Sequence, residues 1–160
     1  MFATGDRVVY PLHGGAIIKE IERREQNGVL VDYFILQMLF ENMTVSIPVE
    51  NADKLGLRKI VSEEKLAEVA AVLQEIPDVQ SVKSISWNRR FQIYMEKIKS
   101  GCILEVARVF KILVVLEQDK KISVGERRLL HNAKQILQSE IMLVKNIDAD
   151  QAEAWLKGCC

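Results

Sequence analysis

A change of hydrophobic period near residue 60 constrains this chain more than any other feature. Before it, apolar residues come in runs of strand length, Val8-Val9-Tyr10, Ala16 to Ile21, Tyr33 to Phe40, Val45 to Pro48 and Leu55 to Ile60. Turn chemistry separates them: Pro11-Leu12-His13-Gly14-Gly15, Gln26-Asn27-Gly28 and Glu41-Asn42. Asn27-Gly28 is the sharpest of these signals, because a type I′ hairpin turn needs positive φ at both central positions. Five short strands predict a small all-β, SH3-like or Tudor-like barrel over residues 1–60, whose edge or rim would serve for binding.

After residue 60 the spacing turns helical. Ser62 can cap a helix with Glu63 and Glu64 in its first turn and Leu66, Val69, Ala70 and Leu73 on its buried face, ended by Pro77. A second helix follows Ser86, carries Phe91, Tyr94, Met95 and Ile98, and stops at Gly101. The third, Ile103 to Leu116, is apolar almost all round, as suits the centre of a bundle. Ser123-Val124-Gly125-Glu126 has capping-box spacing and opens a fourth helix with Leu130, Ala133, Ile136, Leu137 and Ile141 on one side. Asp148-Ala149-Asp150-Gln151 repeats that logic for a short last helix holding Trp155 and Leu156 and closed by Gly158. The chain therefore reads as two domains, the second an all-α helical bundle over residues 63–160. With 49% hydrophobic residues in 160 there is material for a packed core. No basic-then-apolar leader and no bilayer-spanning apolar run is present, so a cytoplasmic protein is expected. Cys102, Cys159 and Cys160 have neither disulfide-framework nor zinc-site spacing, and no metal or cofactor is expected.

The formal net charge is zero, but its distribution is uneven. Between Lys83 and Lys134 stand 12 basic residues, Lys120 and Lys121 among them, against 5 acidic ones. A basic zone in a neutral protein suits a limited surface that meets phosphates. The bland alternative, solvated helix faces, accounts for isolated lysines such as Lys99 and Lys111. It accounts less well for Arg89-Arg90 and Arg127-Arg128, which fall in the first turns of helices where positive charge opposes the dipole. Trp87, one of two tryptophans, precedes the first pair. Its spacing to Phe91, Tyr94, Met95 and Ile98 favours burial on the apolar stripe. Its place in a first turn beside two arginines favours exposure, as in side chains that wedge into a minor groove while cations hold the flanking phosphates. Neither His13 nor His131 sits in a nucleophile, metal or acid-base motif, and there is no phosphate-binding loop or dinucleotide fingerprint. The chain is read as a non-enzyme without a small-molecule substrate.

Several motifs occur together, in order. They are Gly5-Asp6-x-Val8-Val9-Tyr10-Pro11-x-His13-Gly14, Thr44-Val45-x-Ile47-Pro48-x-Glu50-Asn51, Trp87-x-Arg89-Arg90-Phe91, Ser100-Gly101, and Ser123-x-Gly125-Glu126-x-Arg128 through Ala133-x-Gln135-Ile136-Leu137. This combination resembles the CarD/CdnL family of bacterial transcription regulators over nearly the whole chain. The first motif also resembles the polymerase-interacting domain of transcription-repair coupling factors, whose helicase motifs are absent here. The resemblance implies a Tudor-like domain that docks on the β-subunit lobe of RNA polymerase, and a helical domain that contacts promoter DNA at the upstream edge of the bubble. It implies that Trp87 wedges into the minor groove and stabilises the open complex, with Arg89, Arg90 and Arg127 on the DNA backbone; Arg128 and Lys121 of the basic zone are expected to bind DNA beside them. It implies polymerase contacts by Arg24, with Gln26 and Ser46 nearby. Ser46 departs from an arginine, and Gln92 from a basic residue, in some relatives. A self-sufficient or architectural DNA-binding protein is the alternative, in which the strand-rich half is only structural.

Overall fold

The computed structural model describes residues 1–119 and 122–160. Five antiparallel strands come first: β1 (Arg7–Tyr10), β2 (Gly14–Gln26), β3 (Val29–Met38), β4 (Thr44–Pro48) and β5 (Arg58–Lys59), in the order β4-β3-β2-β1-β5. The β2–β3 ladder runs from Ala16 opposite Met38 to Gln26 opposite Val29. Asn27 and Gly28 close it at φ 52° and 81°, the backbone that a type I′ turn requires. A register shift between Ile18 and Glu20 bends the ladder. Val8, Ile18, Phe34, Leu36 and Ile47 fill the concave side.

Two strand expectations change. β2 is 13 residues long and runs past its apolar part through an exposed charged half, which is held by ladder hydrogen bonds more than by burial. The segment expected as a strand over Leu55 to Ile60 shrinks to Arg58–Lys59. β4 and β5 are the two edges, and no pairing joins them among the described residues, so the sheet is open where a closed barrel was expected.

Six α-helices follow among the described residues: α1 (Glu63–Gln74), α2 (Val79–Lys83), α3 (Trp87–Lys99), α4 (Ile103–Gln118), α5 (Val124–Lys145) and α6 (Ala149–Cys159). Ser62, Asp78, Ser86, Ser123 and Asp148 each cap the helix that follows, accepting a backbone N–H three residues on. Those before α5 and α6 are complete capping boxes. α2 is too short for a period and was not anticipated. α4 lies at the centre, with Ala107 and Leu113 fully buried against α1, α3 and α5. Among the described residues, no helix is long and apolar enough to cross a membrane.

The strand-rich and helical halves share a close-packed seam between β2 and α5. Gly14 and Gly15, expected within a turn, belong instead to β2 and are buried; the turn is confined to Pro11–His13. A Cβ on Gly15 would lie 2.9 Å from Leu143 Cδ1 and 3.1 Å from the Ser139 carbonyl, so only glycine allows this approach. The Gly15 N–H donates to Ser139 Oγ at 2.7 Å, and the Ser139 hydroxyl donates to the Ile136 carbonyl at 2.8 Å. Beside them Arg58 donates twice to the fully buried Glu140, at 2.7 and 2.8 Å, and the Val61 N–H donates to the same carboxylate at 2.9 Å. Arg58 also reaches the Gly101 carbonyl, and Arg7 reaches the Leu143 carbonyl and the Asn146 side chain. Ser139→Ala leaves the buried Gly15 N–H unpaired and is expected to cost about 1–3 kcal/mol. Urea unfolding measures this, and an unchanged midpoint would show that the seam admits water.

Candidate nucleic-acid interface

The N-termini of α3 and α5 converge on Trp87. Ser86 caps α3 and makes Trp87 its first helical residue, and Ser123 caps α5 and makes Gly125 its second. The indole leans over Gly125, so a Cβ there would meet Trp87 Cζ2 at 2.8 Å and Cη2 at 3.0 Å. Phe91 meets the indole in an edge arrangement, with centroids 5.5 Å apart. Trp87 and Phe91 are each 38% exposed, and Val124 is exposed beside them. Phe91 thus leaves the buried stripe to which its spacing assigned it. The inward line of α3 is instead Arg90, Tyr94 and Ile98, with Trp87 and Phe91 on the neighbouring line.

That shift changes the role of Arg90. Expected as a phosphate clamp, it is turned inward with a side chain 19% exposed. It donates to the Ile85 carbonyl at 3.0 Å and to Glu126 Oε1 at 3.3 Å, and its guanidinium lies 5.9 Å from the Trp87 ring. Glu126, 1% exposed, closes the α5 capping box with the same oxygen, accepting from the Ser123 N–H at 3.3 Å. Tyr94 completes the cluster. Burial first, then the Glu126 carboxylate, pushes its phenol up to about 12, so it stays protonated. Arg90 Nε, Tyr94 Oη and Glu126 Oε2 are buried without a direct partner among the described residues. They form the polar centre of an otherwise apolar junction.

Other cations of the basic zone are partly neutralised. Lys97 and Arg108 share Glu105, Lys134 pairs with Glu153, and exposed Arg127 approaches Glu117 at 3.9 Å. Arg89 and Arg128 are exposed and have no acidic partner among the described residues. They are the free charges nearest in sequence to the two helix starts. Gln92 is exposed on α3. Lys121 lies outside the described residues.

A second surface lies on the β2–β3 hairpin and β4. Arg24 donates to Glu22 at 3.0 Å and to Ser46 Oγ at 3.1 Å, with its guanidinium 4.9 Å from the Tyr33 ring. The Arg24 hydrogen bond holds the Glu22 carboxyl below its ordinary range. Gln26 is two residues along the same strand face, opposite Val29. Arg24, Gln26 and Ser46 therefore share one exposed sheet face, near the exposed apolar side chains Val29 and Leu30 at the hairpin tip.

Sequence reasoning missed Gly125 and Glu126 as the support of Trp87, and Glu140 as the partner of Arg58. The capping box was a signal for Glu126, but its second task, holding Arg90, depends on a residue 36 positions away.

Known proteins align with this architecture. Residues 2–61 match the family model described as CarD-like/TRCF RID domain, and residues 68–157 match the one described as CarD, C-terminal domain. The chain is 32% identical over 155 residues to the Bacillus subtilis (strain 168) protein named "Putative transcription factor YdeB", covering 97% of this chain and 99% of that protein. A strand-rich half and a helical half that match their models in order, and a relative aligned from end to end, establish that the chain belongs to the CarD/CdnL family.

Proposed function

We propose that this protein is a transcription regulator that docks on the β-subunit lobe of RNA polymerase and stabilises the promoter open complex, without a reaction of its own. The half-exposed indole of Trp87 carries this reading: it is flanked by Phe91 and Val124 and set between two helix N-termini. In the minor groove at the upstream edge of the bubble it would wedge between bases, with Arg89 and Arg128 on the flanking phosphates. Arg127 can join them because its approach to Glu117 is long and solvated. The Tudor-like, polymerase-facing part would use the sheet face of Arg24, Gln26 and Ser46.

A zero net charge, and a basic zone in which half of the described cations have an acidic partner, support delivery by a partner over independent DNA binding. Docking raises the effective concentration of the helical half at the bubble, so weak intrinsic affinity suffices. The hydrogen-bonded seam around Arg58 and Glu140 supports a fixed spacing between the two surfaces. Arg24→Glu is expected to weaken capture of core RNA polymerase by about 2 kcal/mol, roughly thirtyfold in Kd, and to leave binding of free duplex DNA unchanged. Unaltered polymerase capture would remove Arg24 from the docking surface. Equal affinity of the full chain for free DNA and for promoter complexes would favour the self-sufficient DNA-binding reading.

A further inference from the structure

We infer that the first turn of α5 is the seat that sets the pose of Trp87: Gly125 acts by direct contact with the ring, and Glu126 acts as a positioning residue through Arg90. This rests on the wedge reading above and adds the part of the molecule that aims the wedge.

The steric evidence is specific to one glycine. Gly125 has no positive φ that would require glycine for backbone reasons, and alanine is the better helix former. The space a Cβ would need is occupied by the far edge of the Trp87 indole, at 2.8 and 3.0 Å. The obstacle is the end of a half-exposed side chain, not backbone, so a methyl group at this position displaces the ring and leaves the fold in place. The missing Cβ thus lets the edge of the indole approach α5.

The guanidinium of Arg90 lies 5.9 Å from the centre of the same ring. Arg90 is anchored at both ends of its guanidinium, by the Ile85 carbonyl just before α3 and by Glu126 in α5. Glu126 is itself fixed by the capping box with Ser123. The cation facing the indole is therefore held by the same helical turn that Gly125 belongs to. Two adjacent residues of α5 determine where the ring sits and where its cationic neighbour sits.

The test uses the full chain with Trp155→Phe, so that Trp87 alone emits. In that background, Gly125→Ala is expected to shift Trp87 emission to longer wavelength, increase acrylamide quenching, leave Tm unchanged or higher, and shorten the open-complex lifetime several-fold. A merely structural role cannot yield a fold that is no weaker and a wedge that performs worse. Glu126→Gln keeps the cap but weakens the hold on Arg90, and is expected to move emission and lifetime in the same directions. Unchanged emission and quenching in Gly125→Ala would overturn the seat. So would an unchanged lifetime in Gly125→Ala where Trp87→Ala shortens it. If emission shifts while Trp87→Ala and Gly125→Ala both leave the lifetime intact, the seat stands and the wedge reading fails.

Discussion

Replacing Arg58 with alanine is expected to lower folding stability by about 3–5 kcal/mol, the size of effect seen when one partner of a buried ion pair is removed. Glu140 is fully buried on α5 and receives both terminal guanidinium nitrogens of Arg58 at 2.7 and 2.8 Å. Without them its carboxylate keeps the Val61 N–H at 2.9 Å as its one other hydrogen-bond donor among the described residues. The Gly101 carbonyl loses a donor as well. The Glu140 carboxylate stays buried on α5, so the charge left behind is the part that costs stability. Denaturant unfolding measures the loss. The combined replacement Arg58→Met with Glu140→Leu should recover most of it, since what costs stability is the uncompensated charge and not the absence of the pair. A loss under about 1 kcal/mol in the single variant would place this pair with solvated surface pairs.

Trp87→Ala should show the opposite profile, with little change in stability and a large change in promoter complexes. The ring is 38% exposed, it meets Phe91, Gly125 and the nearby Arg90 guanidinium, and it is not part of the buried core cluster of the described residues. Truncation is expected to cost about 1 kcal/mol, the usual scale away from a core. A wedge that offsets even ~1.4 kcal/mol of unstacking changes a dissociation rate by about tenfold. The open-complex lifetime is therefore expected to fall by about tenfold or more. Thermal unfolding and a competitor-challenged lifetime assay read the two effects separately. A loss of several kcal/mol in stability would make Trp87 a core residue, as its spacing alone suggested.

Much of the local architecture was legible in the sequence because its causes are local. Asn27-Gly28 produces a hairpin turn with positive φ at both residues. Ser62, Ser86, Ser123 and Asp148 cap the helices they precede. The change of period separates five strands from the helices. Where the local signal was thin, the reading fell short. α2 has only five residues, and β2 runs beyond its hydrophobic part because pairing with β3 holds it.

The candidate site was less legible. Its residue types were evident, but their directions were not. Arg89 and Arg90 are neighbours in sequence, yet one is exposed and the other turns inward to Glu126, because the helix places them on different faces and only the second meets α5. Phe91 had the spacing of a core residue but lies where no element covers it.

By itself, the sequence determined turns, caps and periods, which are set by interactions within a few residues and by the stereochemistry of glycine, asparagine and serine. The tertiary structure alone decided that the sheet stays open, that Gly14 and Gly15 serve the approach of α5, that Arg58 meets Glu140, and that Gly125 seats Trp87. These outcomes depend on partners far apart in the chain, 82 positions for Arg58 and Glu140 and 124 for Gly15 and Ser139. Which distant surfaces meet is settled only when the whole chain buries its apolar area together, and a polar side chain at such a seam takes whatever partner that packing brings within hydrogen-bond reach.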